Sequence, residues 1–145
     1  MLVGASTVIV WKQLEAGPFG LFDLYEIVPG VVKAAEHFAA LNHDVARDPR
    51  VTLHANDGRN HLLLNPGPWD VITCDPVHPL YGSAPLYSRE FFELTRRRLA
   101  PGGIVCQYLP LHRMPSPEFR RAIATFEEVF PDCRVLFGLG HAMLL

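Results

Sequence analysis

The hydrophobic pattern of this chain alternates between short apolar runs and longer segments whose apolar residues recur at helical spacing. Residues 71–74 form a run of apolar and small side chains bounded by Pro66-Gly67-Pro68 and by Asp75-Pro76, which predicts a buried parallel strand that ends on a carboxylate. Further strands are predicted at residues 21–27, 51–55, 104–109, 134–139 and 142–145.

Three helices are predicted between these strands. The first covers residues 31–42; its apolar face consists of Val31, Ala34, Ala35, Phe38 and Leu41. His37 and His43 fall outside that face, so we expect them in solvent.

Cap and stop signals define the two later helices. Ser88 caps a helix that runs to about residue 99, with Glu90 in its first turn and Pro101-Gly102-Gly103 as its end. Ser116-Pro117 begins the last helix, whose apolar positions are Phe119, Ile123, Phe126, Val129 and Phe130.

The alternation of strands and helices predicts an α/β fold with a doubly wound, mostly parallel sheet. The last two strands are expected to form an antiparallel hairpin through Gly140 at the edge of that sheet. We expect a single domain over residues 1–145 with an atypical start over residues 1–20. Within that start, residues 7–16 form a short helix, or residues 8–11 form a strand; the sequence leaves both open.

Composition excludes several classes of protein. The chain has 145 residues, 49% hydrophobic and 19% charged, and a net charge of -2, which is unlike a nucleic-acid-binding surface. The dense cluster Arg96-Arg97-Arg98 lies at a helix end, where cations favour the helix dipole. Cys74, Cys106 and Cys133 are far apart and lie in or beside apolar runs, as buried thiols of a reducing compartment do.

No apolar run approaches the roughly 18 residues that a membrane span requires, and the N-terminus lacks the pattern of a signal peptide. We therefore expect a cytoplasmic protein. We also expect no metal site, since the sequence shows no cluster of metal-binding residues.

Acidic residues follow three successive predicted strands: Glu26, Asp57 and Asp75. Ligands of open α/β sheets bind beyond the carboxyl ends of the strands, so these acids are candidates for one adenosine-shaped cleft. Glu26 could accept hydrogen bonds from a ribose diol, and Asp57 beside Gly58 could accept from an adenine amino group. Each acid could equally cap a turn, and this alternative stays open for each residue alone.

A resemblance extends over residues 21–145. It is carried by Y-E-I-V-P-G-V-V-K-A-A-E-H-F, by N-D-G-R, by D-V-I-T-C-D-P-V-H-P and by L-Y-S-R-E-F-F-E-L-T-R-R-R-L-A-P-G-G-I-V-C-Q-Y-L-P-L. In this order the motifs are similar to those of the polyamine aminopropyltransferases, typified by spermidine synthase. Among these, they most resemble the bacterial domains joined to transporter-like membrane segments.

The resemblance implies a Rossmann-like fold of the S-adenosylmethionine-dependent methyltransferase type, whose first strand and glycine-rich turn are incomplete here. It implies transfer of an aminopropyl group from decarboxylated S-adenosylmethionine to a polyamine acceptor such as putrescine. The expected partners are these two small molecules, without nucleic acid, and a homodimer is an open expectation.

Individual positions match the family's site residues. Asp75 matches the acid that deprotonates the attacking amine, and Gln107 matches the glutamine at the end of the next strand. The donor positions are Glu26 with the adjacent Ile27, Asp57 with Gly58, and Gly4 in the remnant of the glycine-rich turn. The loop after Asp75 supplies His78 and Tyr81 toward the substrates, and Tyr87 lies near its end.

One position departs from the family pattern. The loop commonly carries a second acid three residues after the first, whereas this chain has His78 there. An imidazole cannot replace a fixed negative charge that holds a diamine, so specificity for putrescine is in question. Two alternatives follow, namely methyl transfer from S-adenosylmethionine to a small amine, and an inactive nucleoside-binding remnant.

Overall fold

The computed structural model describes residues 2–3, 20–76 and 82–145. The chain divides into two compact units, Met1–Gly58 and Arg59–Leu145. The expectations for residues 7–16 and for Gly4 lie outside the described residues, as do those for His78 and Tyr81. The two units are described in turn.

In the described part of the first unit, three parallel strands lie in the order β3-β2-β1. These are β1 (Leu2–Val3), β2 (Phe22–Tyr25) and β3 (Val51–His54). Tyr25 pairs with His54, so β2 and β3 end together. Phe22, Leu24 and Tyr25 are buried, as expected for a strand within a parallel sheet.

The segment after β2 differs from the continuous helix predicted over residues 31–42. It consists of α1 (Pro29–Ala34), a 3₁₀ turn over Ala35–Phe38 and α2 (Ala39–Asn42). The backbone N–H of Ala39 bonds to the carbonyl of Glu36, and the buried Asn42 side chain donates to the carbonyl of Ala35 at 3.0 Å. A side chain thus occupies the carbonyl that the backbone would use in a continuous α-helix.

The predicted apolar face of this segment is largely exposed. Ala35 is buried, but Val31, Phe38 and Leu41 are 46%, 53% and 64% exposed. The periodicity was therefore a poor guide to burial here. His37 and His43 are exposed, as predicted.

Over the residues of the second unit that the structure describes, four strands lie in the order β4-β5-β7-β6. They are β4 (Trp69–Cys74), β5 (Leu99–Leu109), β6 (Val135–Gly138) and β7 (His141–Leu144). β4 and β5 are parallel, while β7 is antiparallel to both β5 and β6, which confirms the predicted C-terminal hairpin.

β5 begins earlier than predicted, directly after the preceding helix. Trp69 pairs with Leu99, whereas Val71 pairs with Ile104. Between these two pairs β5 therefore advances by five residues while β4 advances by two. Gly102 has φ +76°, and a Cβ at Gly103 would lie 2.9 Å from the carbonyl oxygen of Ala100. The Pro-Gly-Gly sequence therefore forms an irregularity within the strand and does not separate strand from helix.

Two long helices supply 6 of the 15 buried apolar side chains described in the second unit, and a third helix, α3 (Gly58–Leu64), begins at the junction of the two units. α4 (Arg89–Arg98) is capped by Ser88, whose Oγ accepts from the N–H of Phe91 at 3.2 Å. α5 (Ser116–Val129) packs against it through an edge-to-face contact between Phe92 and Phe126, 5.0 Å between ring centroids. Both rings are fully buried.

Two arginines of the cluster at the end of α4 donate hydrogen bonds to backbone carbonyls of other helices. Arg96 donates to the carbonyl of Val129, the last residue of α5, at 3.2 Å. Arg98 donates to the carbonyls of Leu62 and Leu63 in the last turn of α3, at 2.7 and 3.0 Å. Cations at helix C-termini satisfy carbonyls that have no partner within the helix, so these charges serve the fold.

Two further expectations concern the chain's thiols and its helices. Cys74 and Cys106 are buried, Cys133 is half-buried, and all three are free thiols. Across residues 2–3, 20–76 and 82–145, no helix combines the length and apolar character that a bilayer crossing requires.

Candidate functional site

Two predicted donor-binding acids follow neighbouring strands in the first unit. The N–H of Glu26 donates to the carbonyl of His54 at 3.0 Å, which extends the β2–β3 ladder by one step. Asp57 lies three residues beyond His54, after a turn in which the N–H of Asn56 bonds to the same carbonyl at 2.9 Å. Both acids therefore lie at the carboxyl edge of this unit's parallel strands, where α/β sheets bind ligands.

The carboxylate of Glu26 takes part in a local turn. Its Oε1 accepts from the backbone N–H of Val28 at 2.8 Å. A carboxylate has several acceptor positions, so this bond is compatible with additional hydroxyl donors. Ile27 beside it is 66% exposed, and Gly58 after Asp57 is buried at the start of α3.

Side chains of β2 and β3 form a cluster at this edge of the sheet that was not predicted from the sequence. Nε2 of His54 lies 2.9 Å from Oδ1 of Asp23, and the His54 ring stacks on Tyr25 with 4.4 Å between centroids. Burial, together with the charge of Asp23, raises the pKa of Tyr25 to about 12. Asp23 and Tyr25 alternate along β2 opposite Thr52 and His54 of β3, so pairing of the predicted strands could have indicated the cluster.

Asp75 lies directly after β4 in the second unit and is half-buried. Burial raises its pKa to about 6, and the charge of His141 opposes this shift. A carboxyl group that titrates this close to neutral pH is suited to accept a proton from a substrate and release it again.

Gln107 is the residue of β5 that pairs with Cys74, the last residue of β4. It is fully buried, and its Nε2 donates to the carbonyl of Tyr108 at 3.2 Å. Within the part of the chain that the structure describes, its Oε1 has no hydrogen-bond partner. A buried acceptor without a partner is costly, and a ligand that donates a hydrogen bond would satisfy it.

Tyr87 connects the loop after Asp75 to the sheet. It ends a 3₁₀ turn over Ala84–Tyr87, and its hydroxyl donates to the carbonyl of Tyr108 at 3.3 Å. Burial raises the pKa of Tyr87, and the negative charge of Asp75 raises it further. Tyr87 is thus a neutral hydroxyl close to the carboxylate.

His141 and Tyr108 were absent from the sequence-based set of site residues. Their rings stack with 5.6 Å between centroids and an angle of 26° between planes. Burial, together with the charge of Asp75, raises the pKa of Tyr108. The signal that could have found His141 is its position after the Gly140 turn, since an antiparallel strand begins at the edge where its neighbour ends.

Two cavities in the second unit differ in their relation to this cluster: one is lined in part by Tyr87, and the other lies away from the site residues. One of about 260 Å³ is lined by Tyr87 together with Met114, Glu118 and Arg121. The larger, about 350 Å³, is lined by Leu99, Gly103 and Cys133, toward the opposite end of β5 from Gln107. The larger cavity contains none of the predicted site residues, so the chemistry of the strand ends, and not cavity size, identifies the candidate site.

The structure thus gathers two groups of predicted residues. Glu26, Ile27, Asp57 and Gly58 lie at one edge of the first unit, whereas Asp75, Tyr87 and Gln107 lie at the strand ends of the second. Their convergence on one adenosine-shaped cleft involves both units and stays a prediction. Among the described residues no cluster of histidine, cysteine and acidic side chains is able to hold a metal ion.

Comparison with solved structures shows the fold. A spermidine synthase in complex with the transition state analogue AdoDATO superposes with a TM-score of 0.83, at 19% identity, over 99% of this chain and 52% of that one. Human methyltransferase-like protein 13 in complex with SAH gives a TM-score of 0.78 at 18% identity, over 99% of this chain and 68% of the other. The predicted Rossmann-like fold of the methyltransferase type is therefore confirmed.

Sequence relatives extend the likeness beyond the fold. A spermidine synthase of Dictyostelium discoideum is 40% identical over 84 residues, which cover 57% of this chain and 29% of that protein. A spermidine synthase of Coffea arabica is 32% identical over 124 residues, 79% of this chain and 34% of that protein. The chain spans about a third of the length of these curated relatives.

The family profile described as the spermine/spermidine synthase domain matches residues 20–138, which include every described candidate residue except His141. The chain therefore belongs to the spermine/spermidine synthase domain family.

Proposed function

We propose that this chain carries the donor-binding and base-bearing part of a polyamine aminopropyltransferase. The reaction is transfer of an aminopropyl group from decarboxylated S-adenosylmethionine to an amine such as putrescine. Family membership supports this proposal, and the observation that carries it is the half-buried Asp75, with a pKa raised to about 6, at the end of β4.

The donor side of the proposal uses the first unit. Glu26 accepts hydrogen bonds from the ribose hydroxyls of the donor, and Asp57 with Gly58 receives the adenine. Ile27 offers exposed apolar surface beside the ribose. We assign Gly4 to the turn near the donor's sulfonium side; it lies outside the described residues.

The acceptor side uses the second unit. An alkyl ammonium has a pKa near 10 and must lose a proton before its nitrogen attacks carbon. Asp75 takes that proton, and the nitrogen lone pair then forms a bond to the methylene carbon of the donor. The C–S bond breaks with its electrons going to sulfur, which leaves methylthioadenosine as a neutral thioether.

Positioning completes this scheme. Gln107 has a buried acceptor oxygen, and Tyr87 holds its hydroxyl close to the charge of Asp75, so both suit an amine that carries several N–H donors. His78 and Tyr81 are assigned to the same substrates from the family likeness alone.

Replacing the proposed base tests the mechanism. Asp75→Asn is expected to lower the single-turnover rate of aminopropyl transfer by about 10²-fold or more, because the amide cannot accept the proton. Asp70→Asn, at an exposed position of β4, is the matched control and should react at the rate of the unaltered chain. Turnover that survives Asp75→Asn contradicts the assignment.

Calorimetric titration with methylthioadenosine tests the donor side. We expect binding by the unaltered chain, and binding at least about 10-fold weaker by Glu26→Gln, because one or more hydrogen bonds to a charged acceptor are lost. Glu36→Gln, at an exposed position of the 3₁₀ turn, should bind normally. No detectable binding by the unaltered chain favours the inactive remnant, and preference for S-adenosylmethionine over its decarboxylated form favours methyl transfer.

Three finer expectations belong to this proposal. The resemblance to domains joined to transporter-like segments, the cytoplasmic location and the homodimer all remain predictions. Sedimentation of the purified chain measures its mass directly, and a monomer over the concentration range of the transfer assay would contradict the homodimer.

A further inference from the structure

The terminal hairpin brings a histidine to the edge of the sheet where Asp75 lies. β7 is antiparallel to β5, so its first residue, His141, lies beside the carboxyl end of β5. β5 is parallel to β4, whose carboxyl end is followed by Asp75. The two residues are 66 positions apart in sequence, and the strand order alone unites them at one edge.

Strand register also assigns the two side chains to one face of the sheet. Thr73 pairs with Cys106, and Tyr108 pairs with Met143. Because side chains alternate along a strand, Asp75, Tyr108 and His141 follow these pairs onto the same face.

Three contacts fix the imidazole of His141. Its ring stacks on Tyr108, and its Nδ1 donates to the carbonyl of Leu139 at 3.2 Å. A carbonyl only accepts, so the neutral ring carries its hydrogen on Nδ1 and leaves Nε2 to take a further proton. A Cβ at Gly138 would lie 2.5 Å from Nε2, so the glycine provides the space that the ring occupies.

The charged and titratable surroundings of this pair are few among the described residues. The side chains whose pKa responds to the charge of Asp75 come from β4, from the 3₁₀ turn and from β5: Cys74, Tyr87, Cys106 and Tyr108. The short 3₁₀ turn Leu111–Arg113 adds His112, which contacts the carbonyl of Gly140 at 3.2 Å, and Arg113, whose charge acts on Tyr108. Burial also raises the pKa of the Cys106 thiol to about 11, so it stays uncharged at neutral pH.

We propose that His141 is a positioning residue for the base: from the same edge of the sheet, its imidazolium charge favours the carboxylate form of Asp75. This deepens the proposed function and rests on it, since Asp75 is the base only if the chain transfers an aminopropyl group. The charge of His141 acts against the raised pKa that burial gives Asp75, and it extends the carboxylate form to lower pH.

Direct titration of Asp75 tests the inference without requiring activity. The ¹³C signal of the Asp75 carboxyl is assigned by its loss in Asp75→Asn and followed from pH 4 to pH 8 in the full chain. Its midpoint is expected to move to higher pH by about half a unit in His141→Gln, because the favourable charge is gone. His37→Gln, at an exposed position of the first unit, should leave it unchanged.

His141→Phe separates charge from packing, since phenylalanine keeps a ring for Tyr108 to stack on. We expect it to shift the Asp75 midpoint in the same direction as His141→Gln. If both substitutions leave the midpoint where it is, or if the midpoint moves to lower pH, the inference is wrong.

A double-mutant cycle of Asp75→Asn and His141→Phe gives a second readout that does not depend on NMR assignment. The coupling in unfolding stability should be larger at pH 6, where Asp75 is partly ionised, than at pH 4, where it is protonated. A coupling that is constant with pH would reflect packing alone and would overturn the inference. Coupling without any aminopropyl transfer would overturn the proposed function but leave the charge interaction intact. Transfer without coupling would overturn the inference about His141 but leave the proposed function intact.

Discussion

The carboxyl group of Asp75, which we propose as the base, acts against the stability of the fold. Burial raises its pKa from the ordinary value of 3.8 to about 6, which means that the folded chain disfavours its charge. Perturbed groups of this kind concentrate at functional sites. The burial that raises the pKa of Asp75 must therefore lower the free energy of unfolding at neutral pH.

Asp75→Asn should accordingly stabilise the chain above pH 6. The folded-state pKa is raised, so the ionised carboxyl is destabilising above pH 6, and this effect is lost as the pH falls to about 4. After allowance for the partial exposure of the side chain, we expect a gain of about 1 to 2 kcal/mol at pH 7.5 and almost none at pH 4. Urea unfolding at the two pH values measures it.

Asp70→Asn provides the control for this measurement, because Asp70 is an exposed residue of the same strand. Its unfolding free energy should differ little from that of the unaltered chain at either pH. An Asp75→Asn chain that is less stable than the unaltered chain at pH 7.5 would show that the carboxylate makes favourable contacts that outweigh its burial.

At the scale of the element, the two long helices of the second unit begin differently although serine lies at the start of both. Ser88 precedes α4 and its Oγ accepts from the N–H of Phe91. Ser116 is already the first residue of α5, Pro115 occupies the cap position, and no side chain caps that helix. A serine contributes as a cap only where its oxygen reaches the free N–H groups of the first turn.

Ser88→Ala should therefore lower the free energy of unfolding by about 1 kcal/mol, whereas Ser116→Ala should change it by less than about 0.5 kcal/mol. Chemical denaturation of both variants at one pH tests the difference. Equal effects would mean that the hydrogen bond accepted by the Oγ of Ser88 does not stabilise the folded chain.

At the scale of the whole molecule, the buried apolar residues are unevenly divided. Among the described residues, 5 of the 20 buried apolar side chains belong to the first unit and 15 to the second. Phe126 is fully buried in the second, between Phe92 and Phe130, whose ring centroids lie 5.0 and 4.7 Å from its own. Phe38 in the first unit is 53% exposed. Stability is thus expected to depend mainly on the second unit.

Phe126→Ala should lower the free energy of unfolding by about 3 to 5 kcal/mol, because it leaves a cavity in a packed aromatic cluster. Phe38→Ala should lower the free energy of unfolding by less than about 1 kcal/mol, since much of the Phe38 side chain is already exposed in the folded chain. Thermal unfolding of the two variants compares them. A large loss for Phe38→Ala would show that the exposed apolar residues of the first unit are covered by a partner in solution.

The sequence by itself determined most of the strands and which residues follow them, because both depend on neighbours along the chain. Apolar runs bounded by proline and glycine located β2 to β5, the Gly140 turn located the hairpin, and the positions of Glu26, Asp57 and Asp75 at strand ends followed.

Tertiary structure decided which distant residues meet. Nothing in the sequence pattern indicates that Arg98 donates to the carbonyl of Leu62 at the end of α3, 36 residues earlier in the chain. Likewise, the proximity of His141 to Tyr108 results from the antiparallel register of β5 and β7. Such contacts join residues that the chain itself separates, so only the packing of whole strands and helices can select them.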